Sequence, residues 1–274
     1  MVTGVGFALF ALGLTLVFGV LRVINMAHGE FYMLGGMIVY SLMAYLGMNY
    51  FLVLALSTIL VGILGVIVNR VAIQPLLGAP ILSTLLSTIA ASVIILNGAF
   101  IAWGGYAKDL EFPFPGVWEL GGVRITQASV LVLVIGVIVI AALYFSLTKI
   151  RWGRATRATA QNLVGASLVG INVKRIYVST FALAASLAAV AGGLVGLIMP
   201  VQPNMGQSML LKGFAVVIVA GMGDVRGCIV IGLILGITEA LFAQYISAFY
   251  RDAWAYGIML LILVFRPQGL FGRR

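Results

Sequence analysis

The distribution of charged residues is the feature that most constrains this chain. No Asp, Glu, Lys or Arg occurs in residues 1–21, 31–69, 71–107, 125–148 or 176–211. A helix that spans a membrane needs ~20 apolar residues, so each of these runs is long enough to cross. The 274 residues are 63% hydrophobic and 8% charged, which leaves too little polar surface to cover a water-soluble domain. The sequence therefore predicts an all-α, polytopic membrane protein with about eight or nine transmembrane helices.

Turn signals divide the longer uncharged runs into separate spans. The run 31–69 is too long for one helix and contains a turn-like Gly-Met-Asn sequence at 47–49, which predicts two spans. Pro and Gly in the segment 75–80 disfavour a helix interior, and one span is predicted to follow at 81–103.

The hydrophobic stretches that follow residue 203 are shorter and interrupted by glycine. They lie at about 210–222, 227–247 and 253–266. One interpretation is that they are discontinuous helices lining a pathway. The other interpretation is that they are ordinary spans whose ends cannot be located accurately from the sequence alone. Many of the 34 glycines lie in apolar runs, and pairs four residues apart predict close helix packing: Gly192 and Gly196, Gly223 and Gly227, and Gly232 and Gly236.

Loop charges predict the orientation in the membrane. The loop at about 149–175 contains six basic residues and no acid, whereas the loop at about 104–124 contains two basic residues and three acids. The positive-inside rule places the first loop in the cytoplasm and the second outside. Counting nine crossings back from the basic tail places the N-terminus outside, and Arg251 and Asp252 are then predicted to form a compensated external pair.

Several classes of function are excluded by single residues or motifs that are missing. One Cys excludes an internal disulfide, and one His excludes a multi-histidine metal site. No lysine is followed by Ser or Thr, so there is no GxxxxGK[ST] loop for nucleotide phosphates. The net charge of +9 is assigned to cytoplasmic loops rather than to nucleic-acid binding. We expect no catalytic residues, no metal and no cofactor, and hence a protein that is not an enzyme.

Four polar residues in apolar surroundings are candidates for a substrate pathway. Asn25, His28 and Glu30 lie between two strongly apolar segments, and ionisable groups near membrane depth are usually functional. Gly29 would allow the helix to unwind there towards a cavity, whereas the alternative is a short interfacial loop with solvated charges. Glu239 has apolar neighbours for a turn on either side, so it should face the interior, a partner cation or water. A structural hydrogen bond to a neighbouring helix is the other interpretation.

The basic cytoplasmic loop carries a different signal. Its sequence predicts a short helix at about 157–170 that ends near Gly170 and has apolar residues among basic ones. An exposed apolar helix with basic flanks indicates a protein partner or the membrane surface, and a solvated connection is the alternative. The residues assigned to this surface are Arg154, Arg157, Leu163, Ala166, Leu168 and Gly170.

Six segments together resemble the permease subunits of ABC importers for branched-chain amino acids. They are Gly-Leu-Thr-Leu-Val-Phe-Gly at 13–19 running into Ile-Asn-Met-Ala-His-Gly-Glu-Phe at 24–31, Arg-Trp-Gly-Arg-Ala-Thr-Arg-Ala-Thr-Ala-Gln-Asn at 151–162, Gly-Ile-Asn at 170–172, Ala-Ala-Val-Ala-Gly-Gly-Leu at 188–194, and Gly-Phe-Ala-Val-Val-Ile-Val-Ala-Gly-Met-Gly at 213–223. The similarity covers nearly the whole chain.

The resemblance implies one transmembrane permease domain over 1–274, in the plasma (inner) membrane of a bacterium or archaeon. Its partners would be a second related permease, two cytoplasmic ATPase subunits and an external solute-binding protein. The helix at about 157–170 would then couple to an ATPase. We expect a mostly apolar passage, with the turn from Asn25 to Glu30 shaping one side.

Two alternatives stay open at this stage. Permeases for urea and short-chain amides look similar, so the solute is less well defined than the class of transporter. An ion-coupled secondary carrier, in which His28, Glu30 and Glu239 relay protons, is a more distant possibility.

Overall fold

A computed structural model describes residues 1–110, 116–120, 123–266 and 268–272. Within these residues, eleven α-helices and one antiparallel hairpin form the regular structure, so the predicted all-α class is confirmed. The helices are α1 (Val2–Leu21), α2 (His28–Leu46), α3 (Tyr50–Val68), α4 (Ile81–Trp103), α5 (Gln127–Lys149), α6 (Arg151–Gln161), α7 (Leu163–Leu168), α8 (Val173–Val195), α9 (Met205–Ala220), α10 (Val225–Tyr245) and α11 (Arg251–Phe265). The hairpin consists of β1 (Val117–Leu120) and β2 (Val123–Thr126).

The apolar helices identify a polytopic membrane protein. Among the described residues, six helices are long and apolar enough to cross a membrane: α1, α3 with its continuation to Leu76, α4, α5, α8 and α10. The apolar helix α9 is shorter, at 16 residues. Helices α2 and α11 are not among these six. Helix α2 has His28 and Glu30 in its first turn, and α11 has only 15 residues.

The predicted division of the long uncharged run is confirmed. Gly47 ends α2 with a φ of 60°, a backbone conformation that favours glycine. Asn49 then caps α3, since its side chain accepts a hydrogen bond from the Phe51 amide. The helix continues past Val68 as a π-helical turn at 69–73 and a 3₁₀ turn at 74–76, before Pro80 precedes α4.

Helix α1 lies at the centre of the bundle, whereas α4 lies at its periphery. In the most apolar part of α1, 89% of the residues are buried, against 11% in α4. Small residues four apart on both α1 and α10 allow the two helices to approach closely: a Cβ added at Gly232 would lie 2.7 Å from the Ala8 Cα, and one at Gly236 would meet Gly4. The predicted packing role of this glycine pair is confirmed.

The two loops that carry the predicted orientation lie at opposite ends of the bundle. Lys108 and Val201 exchange backbone hydrogen bonds of 2.9 and 2.8 Å, which joins the 104–110 segment to the turn between α8 and α9. Helix α5 leads from the hairpin away from that end over 23 residues, about 34 Å of rise, and α6 follows it directly.

Candidate functional site

A buried non-helical turn connects α1 to α2. Arg22 ends α1 in the left-handed conformation with a φ of 55°, and helix resumes only at His28. The Asn25 side chain accepts a hydrogen bond from the Ala27 amide at 3.1 Å. Thr88 of α4 fixes the same turn from the other side: its hydroxyl donates to the Ile24 carbonyl and accepts from the Met26 amide, both at 3.2 Å.

His28 is fully buried against the middle of α1. Its Nε2 lies 3.2 Å from the Phe10 carbonyl oxygen, so this nitrogen carries the proton and donates. The Phe10 ring packs edge-on against the imidazole with centroids 4.7 Å apart. A Cβ at Gly13 would lie 2.6 Å from His28 Cε1, so the glycine makes room for the ring. Among the described residues, no group forms a hydrogen bond with His28 Nδ1.

Glu30 is buried two residues further along, between α2 and α4. Its Oε1 accepts a hydrogen bond of 2.9 Å from the Ser92 hydroxyl, while Oε2 has no hydrogen-bond partner in the described part of the chain. The interpretation of residues 25–30 as a solvated interfacial loop is therefore wrong, because Asn25, His28 and Glu30 are at most 2% exposed.

Gly29 has a different role from the one expected. The helix does not unwind at this residue, since α2 runs through it and the irregular backbone precedes it. Instead, Gly29 faces Gly206 of α9, and a Cβ on either residue would meet the backbone of the other. The two glycines allow α2 and α9 to approach closely.

Glu239 faces cations in the interior, as one of its interpretations required. Lys212 Nζ of α9 lies 2.8 Å from Glu239 Oε1, and the Arg251 guanidinium of α11 also donates to that oxygen. The side chains of Lys212 and Glu239 are 7% and 3% exposed. The other interpretation, a structural hydrogen bond to a neighbouring helix, also holds, because both donors lie on other helices and both are charged.

Lys212 also pairs with Asp252, whose Oδ1 lies 2.7 Å from Nζ. Arg251 and Asp252 therefore pair with Glu239 and Lys212, and the expected Arg251–Asp252 pair is wrong. The physical reason is burial: Lys212 and Glu239 are removed from water, so each needs an opposite charge more than two exposed neighbours need one another. We define these four residues as the ionic cluster.

A cavity of 530 Å³ opens beside the ionic cluster. It lies at the end of the bundle that the 104–110 segment and the α8–α9 turn share, since Ala107 and Pro200 line it. Lys212, Arg251 and Asp252 supply its charges. The apolar part of its lining includes Phe7, Val195, Met199, Met205, Met209 and Phe249.

None of the four residues predicted to line the pathway lines this cavity. Asn25, His28 and Glu30 belong to the packing around the turn, and Tyr32, one turn beyond His28, is the residue of α2 that reaches the cavity. Glu239 lies behind Lys212 and Arg251. Lys212 and Asp252 were not among the predicted pathway residues, although a lone lysine inside an apolar stretch, at 205–220, is the same kind of signal as Glu239.

The predicted coupling helix at 157–170 is wrong in its bounds, since two helices occupy this loop. Asn162 separates α6 from α7, with extended backbone and a side chain that accepts from the Gly165 amide at 2.9 Å. An Asn that caps a new helix competes with continuation of the old one. Helix α6 packs on the bundle: the Trp152 indole donates to Ser179 of α8 at 2.7 Å.

The second helix presents an apolar surface to solvent. We define the α7 patch as Leu163, Val164, Leu168 and Val169, which are 48%, 66%, 81% and 76% exposed. Ala166, assigned to this surface from the sequence, is instead buried, and Gly170 ends the segment with a φ of 82°. Arg154 and Arg157 of α6, also assigned to this surface from the sequence, are exposed.

The opposite end of the molecule carries the hairpin, which the sequence analysis did not predict. Two four-residue segments that contain β-branched or aromatic residues and are separated by Gly121 and Gly122 are a hairpin signal. Glu119 and Arg124 pair across it at 2.7 Å and are both exposed. Glu111 of the same loop and the tail residues Arg273 and Arg274 lie outside the described residues.

Comparison with known proteins identifies the family. Residues 1–266 match the family described as "Branched-chain amino acid transport system / permease component". The high-affinity branched-chain amino acid transport system permease protein BraD of Pseudomonas aeruginosa is 34% identical over 98% of this chain and 92% of its own length. The corresponding protein LivH of Escherichia coli (strain K12) is also 34% identical, with the same coverage. The ribose import permease protein RbsC of Haemophilus influenzae is 30% identical over 94% of this chain and 80% of its own length.

Proposed function

This chain belongs to the family of permease components of branched-chain amino acid transport systems, and from that premise we propose that it moves leucine, isoleucine and valine inward through an ATP-driven importer. The match over residues 1–266, joined by relatives at 34% identity over 98% of the chain, is the observation that carries the proposal. A permease component is a transport subunit of a multi-pass membrane assembly rather than an enzyme, as the sequence analysis expected.

The proposed assembly contains a second related permease, two cytoplasmic ATPase subunits and an external solute-binding protein. The α7 patch supports the ATPase contact, because four exposed apolar side chains on a short helix need a protein partner to cover them. The exposed Arg154 and Arg157 of the preceding helix α6 would add positive charge to the same cytoplasmic surface.

The proposed topology has nine crossings, α1 to α5 and α8 to α11, with the N-terminus outside. It places the hairpin, the 104–110 segment and the mouth of the cavity at the external surface, where the binding protein would dock. The same topology places α6, α7 and the basic loop at the cytoplasmic surface, in agreement with the positive-inside rule.

Energy coupling is the property that tests the proposed class. In membrane vesicles that contain the complete assembly, uptake of labelled leucine should stop when ATP is removed and should continue in the presence of a proton uncoupler. Uptake that survives without ATP but stops with the uncoupler would contradict an ABC permease and would support an ion-coupled carrier.

A further inference from the structure

We propose that the 530 Å³ cavity beside Lys212 and Asp252 is a binding site for a free zwitterionic amino acid with an apolar side chain. This inference deepens the proposed function and rests on it, since it names the residues that would recognise the solute. The family match assigns no residue to this role.

The ionic cluster beside the cavity carries charges of both signs, and these charges balance. Lys212 and Arg251 contribute two positive charges, and Glu239 and Asp252 contribute two negative ones, so the ionic cluster is neutral. A zwitterion adds one charge of each sign and keeps that balance. A solute with a net charge would leave one charge of the cluster uncompensated in a partly buried site, which is costly.

Asp252 is the member of the cluster that is available to a solute. Its side chain is 54% exposed, whereas that of Glu239 is 3% exposed and is occupied by Lys212 and Arg251. An incoming ammonium group can therefore take the place of Lys212 at Asp252. The Lys212 ammonium, which keeps Glu239 as a partner, is then free to bind the solute carboxylate. The Lys212–Asp252 ion pair is thus replaced by two ion pairs with the solute, and no buried charge is left without a partner.

The remaining lining matches an aliphatic side chain. Phe7, Val195, Met199 and Met209 surround the charged group with apolar surface. Methionine side chains are flexible and adapt to ligands of different shape, which suits a site that takes leucine, isoleucine and valine alike. A volume within the usual range for small-molecule pockets, with a few polar groups at one side, fits such a solute.

Protection of an engineered cysteine against alkylation tests the proposal without ATP or a binding protein. Ser208 is exposed and lines the cavity, so Ser208→Cys in a Cys228→Ala background reports its occupancy. The two permeases and two ATPase subunits, in vesicles without the solute-binding protein, are treated from outside with a membrane-impermeant maleimide. Three probes are compared: L-leucine, 4-methylpentanoate, which lacks the ammonium, and 3-methylbutylamine, which lacks the carboxylate. Arg124→Cys on the hairpin, away from the cavity, is the control for general effects on alkylation.

We expect leucine to slow alkylation of the Ser208→Cys variant far more than either one-charge probe does, and to leave alkylation of the Arg124→Cys control unchanged. Asp252→Asn should raise the leucine concentration needed for protection about tenfold, because a hydrogen bond to a charged group contributes a free energy of that order. Asp252→Glu keeps the charge and should retain protection, and Glu119→Gln, an exposed external acid away from the cavity, should have no effect.

Three results would overturn the inference: no protection by leucine, equal protection by 4-methylpentanoate, or protection that Asp252→Asn leaves unchanged. Each of these is distinguishable from failure of the proposed function, which is read from the ATP dependence of leucine uptake. If uptake requires ATP but leucine gives no protection, the proposed binding site is refuted and the proposed importer function is retained.

Discussion

Lys212 of α9 and Glu239 of α10 form a buried ion pair, with Nζ and Oε1 2.8 Å apart. Arg251 of α11 donates to the same carboxylate, so three helices meet at one acidic group. Removing one partner of a buried pair is more damaging than replacing both, because it leaves a charge without compensation. Glu239 therefore stabilises the packing of α9, α10 and α11 around the mouth of the cavity.

The first prediction concerns the stability of this ionic cluster. Glu239→Gln should destabilise the protein by about 3 kcal/mol, because Arg251 loses its counter-charge and the buried Lys212 keeps only the exposed Asp252. Lys212→Met should cost less, since Glu239 keeps Arg251. Thermal unfolding of the purified protein in detergent measures both. Glu119→Gln, in the exposed hairpin pair, is the control and should change stability little. A larger loss for Lys212→Met than for Glu239→Gln would contradict the arrangement.

A second prediction concerns the contact between α2 and α9. Gly206→Ala should lower the unfolding temperature and the yield of folded protein, because its Cβ would meet the backbone of Gly29. Gly98→Ala in α4 is the matched control, since nothing lies within 4 Å of a Cβ there and the alanine favours the helix. If the two substitutions have equal effects, the close approach of α2 and α9 is not what requires the glycine.

The third prediction addresses coupling through the α7 patch. Leu163→Glu and Leu168→Glu should uncouple ATP hydrolysis from uptake, because they place charges on an exposed apolar surface that a partner must cover. Leu168→Met keeps the surface apolar and should retain uptake. The measurements are copurification of the ATPase subunits, ATPase activity and leucine uptake. The coupling role fails if the glutamate variants keep both copurification and normal uptake.

Much of the fold could be predicted from the sequence because lipid imposes a simple rule. Uncharged runs of sufficient length marked α1, α4, α5 and α8 within a few residues, and a turn-forming sequence at 47–49 separated α2 from α3. The close packing of Gly232 and Gly236 followed from their spacing alone.

The candidate site could be predicted only in part, because charge pairing is a tertiary property. A lone Glu239 in an apolar stretch indicated a buried partner, but the spacing along the chain gives no sign that Lys212 and Arg251 supply it. The residues around His28 looked like a pathway because they are polar. Their hydrogen bonds to Phe10 and Ser92 join α2 to α1 and α4, and their role in a pathway stays a prediction. Asn162 was predicted to lie inside a single helix. Its role as the N-cap of α7 depends on its extended backbone conformation, which the sequence does not reveal.

A fourth prediction concerns Glu30. Glu30→Gln should impair uptake through the local structure rather than through solute affinity, because the carboxylate contacts Ser92 and does not line the cavity. The apparent affinity for leucine should then stay near its original value while the maximal rate falls. Ser92→Ala removes the same hydrogen bond and should have a similar effect. A selective loss of affinity in Glu30→Gln would instead place Glu30 in contact with the solute.

The fifth prediction concerns docking of the solute-binding protein at the external end. Asp109→Lys should slow association more than it weakens the final affinity, because charges at the rim of an interface mainly steer the encounter. Association rates at low ionic strength, measured with the intact assembly, check this. Lys174→Glu at the cytoplasmic end is the control. Unchanged association in Asp109→Lys would remove this segment from the docking surface.

Competition for uptake tests the central claim most directly, because it identifies the solute. Vesicles with the complete assembly, its binding protein and ATP take up labelled leucine in the presence of excess unlabelled isoleucine, valine, urea, acetamide or ribose. We predict that isoleucine and valine reduce the initial rate strongly and that urea, acetamide and ribose leave it unchanged. Strong competition by urea, acetamide or ribose, with none by isoleucine and valine, would contradict a permease for branched-chain amino acids.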